Sequence, residues 1–399
     1  MRKTLMIVLV LGVVFSLVAQ PIEEKLNPSR PFSEIAKEFS DSLFYAGYGQ
    51  KENCMISPIS ALMALGMTTN GAQAETESEM LWALTGSSYT TEELNQQSKQ
   101  YLASLLSEQV LRISNSLWTN QEYQIAPAFL ATIQDAYQGT AQTLDFSDPS
   151  SADVINAFVS NATRGAITHL LDEVSPQMLM YVINTIAFKD DWKYQFSAND
   201  TREGRFFSET GPQEVPFMHS ERTFSYYAGE DYQQIMLPYV QERFAFVAIL
   251  PEQGLPLSTF LAEREGSSLS DLLFQGVKQS EQVRVRLSLP KFESRYADSL
   301  VDELQLLGMQ RAFRSGSADF SKMIRASRLP IHIDEVLHKS FIRVDEQGTE
   351  AAAVTAVMMR LTSIAPRAAV ELRFDRPFFY AIVDLEEEIP LFMGVLDTP

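Results

Sequence analysis

The pattern of apolar and polar positions predicts both helices and strands. Apolar residues three or four positions apart predict an amphipathic first helix on Phe32, Ile35, Phe39 and Leu43. Residues 178–188 are almost all apolar, which is typical of a strand buried on both faces. Asn184 lies in this run and must find partners, because an unpaired buried amide costs about 1–3 kcal/mol. Residues 283–289 alternate strictly between apolar and polar positions and predict a half-buried strand.

A short strand that leads into a helix is predicted near the only cysteine. The apolar run 54–56 is followed by Ser57 and Pro58. Serine is a common helix N-cap, and proline is well tolerated at the first helical position. We therefore expect Ser57 to cap a helix that begins at Pro58.

The remaining periodic segments complete a mixed set of elements. Strands are predicted at residues 110–118, 140–146, 244–250, 370–374, 378–383 and 391–395. A helical stripe of apolar residues is formed by Ile155, Val159, Ala162, Ala166 and Leu170. The chain has no Gly/Ser-rich linker, internal repeat or low-complexity block, so we expect one large α+β domain over residues 20–399.

Residues 346–377 allow two interpretations. Gly348 can break a strand over residues 341–344, since glycine adopts backbone angles that other residues avoid. If a strand follows, one of its faces is uncharged and consists of Thr349, Ala351, Ala353, Thr355, Val357, Met359 and Leu361. Alternatively, Thr349 could cap a helix that continues through the helix-forming run 351–353. The residue pattern alone favours the helix.

The N-terminal segment and the charge indicate an exported, acidic protein. Residues 1–19 begin with Arg2 and Lys3 and continue as an apolar run, which predicts a secretory signal peptide, with an uncleaved anchor as the alternative. The chain has 51 acidic and 32 basic residues, and removal of residues 1–19 leaves 51 against 30, a net charge of −21. This charge is unfavourable for binding nucleic acid. The single cysteine, Cys54, excludes an internal disulfide, which suits a bacterial setting, and we expect it to be a buried thiol.

No motif predicts an enzyme. The chain has no G-x-S-x-G elbow, H-E-x-x-H pair or phosphate-binding glycine loop, and no paired C-x-x-C spacing for zinc. The histidines are scattered along the chain at His169, His219, His332 and His338. A Ser–His–Asp set assembled only in space is not visible in a sequence, and nothing here points to one. We therefore expect no catalysis, no metal and no cofactor.

Several motifs resemble the serpin family. The run Glu-x-Gly-Thr-Glu-Ala-Ala-Ala-x-Thr at residues 346–355, followed about twenty residues later by Phe-Asp-Arg-Pro-Phe at 374–378, is similar to a serpin hinge and reactive-centre loop. Further similarity lies in the segments 53–67, 184–196 and 289–292. The resemblance covers essentially residues 32–399. It implies an α+β serpin fold of three β-sheets and about eight or nine helices, with an exposed reactive-centre loop at about residues 346–373.

The resemblance also implies roles for three groups of residues. The hinge, where the loop begins to insert into a sheet, would comprise Glu346, Gly348, Thr349, Glu350, Ala351, Ala352 and Ala353. The shutter, a hydrogen-bonded cluster beneath the main sheet, would comprise Ser57, Ser60, Asn184 and His338. The breach, at the top of that sheet, would contain Trp192 and Lys291. We expect Lys291 to form an exposed pair with Glu346 that contributes only about 0–1 kcal/mol.

By this resemblance the protein would be a suicide inhibitor of serine proteases. From Glu346 to Thr362 is 17 residues, the spacing usual in inhibitory serpins, which places the cleaved bond at Thr362–Ser363. Thr362 suits elastase-like proteases, whereas the alternative scissile residue, Leu361, suits chymotrypsin-like or subtilisin-like ones. A cysteine protease could also cut this loop. The alternative function is a non-inhibitory serpin that acts in binding, in storage or as a chaperone, although such relatives typically lose the small-residue hinge.

The same resemblance sets expectations for partners and location. The predicted polar helix at residues 91–106 carries Glu92 and Glu93 against Lys99, whereas the matching helix of cofactor-activated serpins is basic. We therefore expect no glycosaminoglycan activator. The partner would be a target protease, held as a covalent acyl-enzyme by a monomeric inhibitor that is secreted or periplasmic.

Overall fold

The computed structural model describes residues 30–49, 53–325, 331–349 and 368–399. The signal peptide predicted at residues 1–19 and the reactive bond predicted at Thr362–Ser363 lie outside these ranges. Nine α-helices lie within them: α1 (Phe32–Tyr48), α2 (Pro58–Thr69), α3 (Ala74–Thr85), α4 (Thr91–Ser107), α5 (Pro127–Tyr137), α6 (Ser151–Ala162), α7 (Leu257–Ala262), α8 (Leu269–Lys278) and α9 (Val301–Leu306). None of these helices is long and apolar enough to span a membrane.

The described strands form two β-sheets. In chain order they are β1 (Met55–Ile56), β2 (Leu111–Asn120), β3 (Thr140–Leu144), β4 (Met180–Phe188), β5 (Asp190–Asp191), β6 (Arg202–Ser208), β7 (Gly211–Ala228), β8 (Tyr232–Pro238), β9 (Phe244–Pro251), β10 (Glu281–Pro290), β11 (Phe292–Ser299), β12 (Glu335–Val344), β13 (Gly348–Thr349), β14 (Val370–Arg373), β15 (Phe378–Asp384) and β16 (Ile389–Leu396). The α+β class predicted from the sequence is confirmed.

The seven-stranded sheet has the strand order β3-β2-β4-β12-β13-β5, and β11 pairs with β12. Strands β4 and β12 are hydrogen-bonded neighbours and run parallel, with His338 opposite Asn184. The two-residue strand β13 is antiparallel to both of its neighbours, β12 and β5. This sheet therefore holds the two hinge residues Gly348 and Thr349 and two of the predicted shutter residues, Asn184 and His338.

The second sheet has nine strands in the order β1-β16-β15-β9-β8-β7-β10-β14, and β6 pairs with β7. Strand β7 is 18 residues long; it pairs with β6 near its start and with β8 near its end. Strand β10 pairs along most of it. The expected third sheet is therefore joined to the second by continuous hydrogen bonding through β7, which explains the difference from a count of three.

Helix α2 lies between the two sheets and contacts β4 of one and β16 of the other. All of its residues are buried, as expected for a helix that is apolar on every side. Cys54, just before β1, is buried as predicted. This helix carries Ser60 and begins after Ser57, so it brings both serines under the seven-stranded sheet.

Most of the elements predicted from periodicity are present, but the end of α6 was predicted wrongly. The apolar stripe continued to Leu170, whereas the helix ends at Ala162. Arg164 and Gly165 adopt left-handed backbone angles, with φ of 51° and 84°. A helix cannot continue through such angles. Leu170 instead packs beneath the sheet from the segment that follows the helix.

A buried ion pair fastens α4 to the nine-stranded sheet. Arg243, just before β9, bonds Asp384 at the end of β15, with 2.6 Å between Nη2 and Oδ2, and both side chains are almost fully buried. The Arg243 Nη1 group also donates to the Oγ and carbonyl oxygen of Ser104 in α4. The Tyr101 hydroxyl, from the same helix, donates to Asp384. The buried positive charge of Arg243 is therefore balanced by the buried carboxylate of Asp384.

We expect Asp384→Asn to lower the free energy of unfolding by about 3 kcal/mol, because it removes the buried counter-charge of Arg243 and leaves only longer contacts with the more exposed Glu108 and Glu386. Equilibrium denaturation in urea measures this change. The matched control is Asp135→Asn, which breaks the exposed pair with Lys99 and should change stability by no more than about 0.5 kcal/mol. Equal effects of the two substitutions would contradict the role given to the buried pair.

Candidate functional site

Strand β13 places the start of the predicted hinge inside the seven-stranded sheet. Thr349 pairs with Val344 of β12 on one side and with Asp190 of β5 on the other. Gly348 pairs with Asp191. At these two positions the chain is therefore a strand, which is the interpretation that the residue pattern alone disfavoured. The hinge residues Glu350, Ala351, Ala352 and Ala353, and the reactive-bond residues Leu361, Thr362 and Ser363, lie outside the described residues.

Gly348 is required by the close approach of β5. A Cβ atom added at this position would lie 2.2 Å from the carbonyl oxygen of Asp190 and 2.7 Å from the Cα of Asp191. Both are backbone atoms and cannot move aside as a flexible side chain can. The pairing of β13 with β5 therefore depends on glycine at this position.

Thr349 is anchored in the core by an aromatic pair. Its side chain is fully buried, and its Oγ1 lies 2.6 Å from the Tyr239 hydroxyl. The Tyr239 ring stacks on Trp192 at a centroid distance of 4.7 Å. Burial raises the pKa of Tyr239 well above its ordinary value, so the hydroxyl stays neutral. Tyr239 was missed by sequence analysis, because a tyrosine after a strand is an ordinary core residue.

Trp192 also holds the backbone that precedes β13. Its indole Nε1 donates to the carbonyl oxygen of Asp345 at 2.8 Å, and its backbone N–H donates to Gln347 at the same distance. The N–H of Phe196 donates to the carbonyl oxygen of Glu346. The predicted breach residue Trp192 thus fixes the turn from which the hinge emerges.

The predicted pair between Lys291 and Glu346 is present but not fully exposed. Lys291 Nζ lies 2.7 Å from one carboxylate oxygen, and the Thr201 hydroxyl donates to the other. The Glu346 side chain is only 13% exposed. Desolvation alone would raise the pKa of Glu346, but the hydrogen bonds from Lys291 and Thr201 outweigh it and lower this pKa. The expectation of an exposed pair was therefore wrong, because Thr201 covers the carboxylate.

The four predicted shutter residues are in contact beneath β4 and β12. The Ser60 hydroxyl donates to Asn184 Oδ1 at 2.6 Å, and Asn184 Nδ2 donates back to the Ser60 carbonyl oxygen. His338 Nδ1 lies 2.7 Å from the same Asn184 Oδ1. The Ser57 N–H donates to His338 Nε2 at 3.1 Å. Helix α2 is thereby tied to both parallel strands.

The Ser57 side chain does not cap α2 as predicted, although Ser57 occupies the N-cap position. Its hydroxyl donates instead to the carbonyl oxygen of Leu391 in β16, at 2.7 Å. A buried unpaired carbonyl is costly, and β16 offers one within reach of this serine. Ser57 therefore connects the two sheets rather than completing its own helix.

The contacts of His338 select one neutral form of the ring. Nε2 accepts a hydrogen bond from the Ser57 N–H, so Nδ1 carries the ring proton and donates a hydrogen bond to Asn184 Oδ1. Burial lowers the pKa of His338 to about 3. A protonated ring would have no lone pair for the Ser57 N–H, so the cluster is held together by the neutral imidazole.

Asn115 was missed by sequence analysis. It lies opposite Asn184 on β2, and its Oδ1 accepts a hydrogen bond from Asn184 Nδ2 at 2.7 Å. Asn115, Asn184 and His338 thus form a row across three adjacent strands. In the sequence Asn115 stands between Ser114 and Ser116, so no alternation of polar and apolar residues marks it as a buried partner.

Within the described residues, no group of histidine, cysteine, aspartate and glutamate side chains is arranged to hold a metal ion. The site thus has two parts. One is β13 with its aromatic anchor, Tyr239 and Trp192. The other is the polar cluster in the middle of β4 and β12, which consists of Ser57, Ser60, Asn115, Asn184 and His338. The hydrogen bonds of this cluster hold β4 and β12 together.

We expect the His338 contacts to make folding stability depend on pH. The ordinary histidine pKa is 6.5 and that of folded His338 is about 3, so between these two pH values the unfolded chain binds the proton and the folded chain does not. Stability from this group is therefore lost as pH falls, by about 2 kcal/mol between pH 7.5 and pH 5. Urea denaturation of wild type and His338→Gln at both pH values isolates the contribution. Parallel pH profiles for the two proteins would rule it out.

Comparisons with known proteins identify the family to which the chain is similar. The sequence model of the family described as serpin (serine protease inhibitor) matches residues 34–399. An uncharacterised serpin-like protein of Thermococcus kodakarensis is 33% identical over 394 residues, which covers 94% of this chain and 87% of that protein. Serpin B6 of Macaca fascicularis is 31% identical over 374 residues, with 88% of this chain and 95% of that protein covered.

Solved structures show the same architecture. The native structure of the thermophilic serpin tengpin superimposes with a TM-score of 0.85 at 34% sequence identity and covers 94% of this chain and 95% of its own. Protease nexin-1, solved with heparin, has a TM-score of 0.81 at 26% identity over 92% of this chain and 99% of its own. The prediction of a serpin fold is confirmed, and the chain belongs to the serpin (serine protease inhibitor) family.

Proposed function

We propose that the protein is a suicide inhibitor of serine proteases. A protease would cleave the loop after residue 349 and form an acyl-enzyme. The loop would then insert as a strand between β4 and β12 and carry the acylated protease with it. The observation that supports this proposal most directly is β13, because its two residues already lie beside β12, antiparallel and in the direction that an inserting strand must take.

The register of β13 fits both neighbours of the proposed strand. Thr349 lies opposite Val344 of β12 and Asp190 of β5. If this antiparallel register continues past Phe188, residue 355 comes to lie opposite both Asn184 and His338. These two residues already face each other across β4 and β12. One strand can therefore pair with both neighbours without a shift of either.

In the same register, the inserted Thr355 would lie within reach of both Asn184 and His338. Insertion must separate His338 Nδ1 from Asn184 Oδ1, which are now 2.7 Å apart. Each buried polar group left without a partner costs about 1–3 kcal/mol. A threonine hydroxyl can accept one hydrogen bond and donate another, so Thr355 could bridge the two groups after they separate.

Insertion would be favourable overall because one strand interface is replaced by two. The parallel contact of β4 with β12 covers seven residue pairs, from Glu335 opposite Tyr181 to Phe341 opposite Ala187. Insertion would break the hydrogen bonds of this contact. A strand between β4 and β12 would replace them along one of its edges and form about ten further backbone hydrogen bonds along the other. At about 0.5–1.5 kcal/mol each, the gain is on the order of 10 kcal/mol. The uncut protein would accordingly be kinetically stable and not lowest in free energy.

The proposed target follows from the loop sequence. Cleavage at Thr362–Ser363 would suit elastase-like proteases, and cleavage after Leu361 would suit chymotrypsin-like or subtilisin-like ones. We propose that the protein meets its target outside the cytoplasm as a monomer, since residues 1–19 have the pattern of a signal peptide. Protease nexin-1 was solved with heparin. For this protein we propose that no glycosaminoglycan acts as an activator. Helix α4 begins with Glu92 and Glu93, and its Lys99 is paired with Asp135.

Mixing the protein separately with elastase, chymotrypsin and trypsin tests the proposal. We expect a complex with elastase or chymotrypsin that survives denaturing electrophoresis, and a released peptide that begins at Ser363, or at Thr362 if Leu361 is the scissile residue. Trypsin would cut at Arg360, which leaves a shorter inserted strand, so we expect more digestion than trapping. Cleavage by all three proteases without any complex would favour the non-inhibitory alternative, provided that heating showed no gain in stability after the cut.

Thr349→Arg should convert the inhibitor into a substrate. Thr349 is fully buried against Tyr239, so an arginine at this position would bury an unpaired charge and slow insertion. Each 1.4 kcal/mol added to the insertion barrier shifts the partition toward hydrolysis by about tenfold. The number of inhibitor molecules consumed per protease trapped measures this partition. Glu350→Arg is the matched control, since residue 350 would lie on the opposite face, and unchanged stoichiometry for Thr349→Arg would refute the buried-face requirement.

A further inference from the structure

Asp190 lies at the point where β13 joins the sheet. It is directly opposite Thr349 in the antiparallel pairing of β5 with β13. Directly opposed residues of such a pair present their side chains to the same face of the sheet. On that face the Thr349 hydroxyl contacts Tyr239. The Asp190 carboxyl group therefore lies on the core side of the hinge, beside its aromatic anchor.

The Asp190 carboxyl group is only partly satisfied. Its Oδ1 accepts a hydrogen bond from the N–H of Asp191 at 2.9 Å. Its Oδ2 is buried and makes no hydrogen bond among the described residues. An ionised carboxylate in this position has lost water at Oδ2 without gaining a well-aligned hydrogen bond there, which is unfavourable, whereas a neutral carboxyl tolerates the same position.

The charged groups around Asp190 increase this preference for the neutral form. The pKa of Asp190 is raised to about 6, mainly by burial and in smaller part by two carboxylates, Asp191 on the same strand and Glu108 just after α4. The backbone N–H groups of Asp191 and Gln241 oppose the rise. Arg243 lies 3.9 Å from Glu108 but is already paired with Asp384. Tyr239 is neutral, so it supplies no charge.

We propose that Asp190 makes the hinge responsive to protons: its neutral form favours the pairing of β13 with β5, and its ionised form weakens that pairing. When β13 leaves the sheet, water reaches the carboxyl group and its pKa returns toward the ordinary 3.8. The paired hinge thus binds the proton more tightly than the released hinge. By linkage, pairing strengthens as pH falls through about 6.

The pH of the solution would then set how often β13 is paired with β5. In acid the hinge would be seated in the sheet before any protease arrives, and at neutral pH it would be released more often. The consequence for the rate of loop insertion rests on the proposed inhibitory function. The hinge equilibrium itself does not involve a protease and can be measured in its absence.

Hydrogen–deuterium exchange of the free protein tests the proposal. The reporters are the N–H groups of Trp192 and Asp345, which donate to the carbonyl oxygens of Gln347 and Gly348. Protection is expressed relative to unstructured peptides of the same sequence, which removes the intrinsic pH dependence of exchange. A pKa of about 6 in the paired state and 3.8 in the released state predicts about tenfold greater protection at pH 5 than at pH 7.5.

Two variants assign the effect to Asp190. Asp190→Asn, which is nearly isosteric with the neutral carboxyl, should show the high protection at both pH values, and Asp190→Ala should also lose the pH dependence. Glu242→Gln is the local control, since it removes an exposed carboxylate paired with Lys193 and should keep the wild-type profile. Equal pH profiles for wild type and both Asp190 variants would overturn the proposal, as would protection that decreases in acid. Failure to inhibit proteases would leave this result unaffected.

Discussion

Strands β4 and β12 run parallel as direct neighbours, and the hydrogen bond between Asn184 and His338 joins them across the sheet. This contact is made between side chains that water does not reach, so it cannot open without leaving polar groups unpaired. The same Asn184 also binds Ser60 of α2 and Asn115 of β2. Opening the sheet at this point therefore disturbs a helix and three strands together, which makes the closed sheet resistant to small fluctuations.

The hinge lies in the same sheet but is held by different interactions. Its hold comes from backbone pairing of two residues, the buried contact between Thr349 and Tyr239, and the half-buried pair between Lys291 and Glu346. Two residues of strand contribute little by themselves. Under the proposed mechanism, insertion would begin at β13, whereas the contact between Asn184 and His338 would have to open for insertion to proceed. Such a separation allows a long-lived closed state without a strong hold at the hinge.

Much of this arrangement can be read from the sequence, because periodicity reports burial directly. The first helix, the buried strand around Asn184 and the half-buried strand β10 follow from the spacing of apolar residues. The end of α6 does not, since the left-handed angles of Arg164 and Gly165 interrupt a stripe that otherwise continues. A stripe shows which face could be buried, and the backbone decides how far a helix extends.

The polar cluster shows a second limit of sequence reasoning. Resemblance to serpins grouped Ser57, Ser60, Asn184 and His338, yet it did not give the direction of each hydrogen bond. Ser57 occupies the predicted cap position but donates its hydroxyl to Leu391. Asn115 was not found because strand register, which sets it opposite Asn184, is a property of the folded sheet.

The burial of Glu346 shows why such details bear on mechanism. An exposed ion pair would exchange freely with water and could release the hinge at almost no cost. Here Thr201 covers the carboxylate, and both oxygens are bonded, so release must also break two hydrogen bonds in a partly dry environment. Asp190, on the other side of the same turn, has one oxygen without a partner and favours departure when ionised. The hinge is thus held by one carboxylate whose bonds are satisfied and loosened by another whose bonds are not.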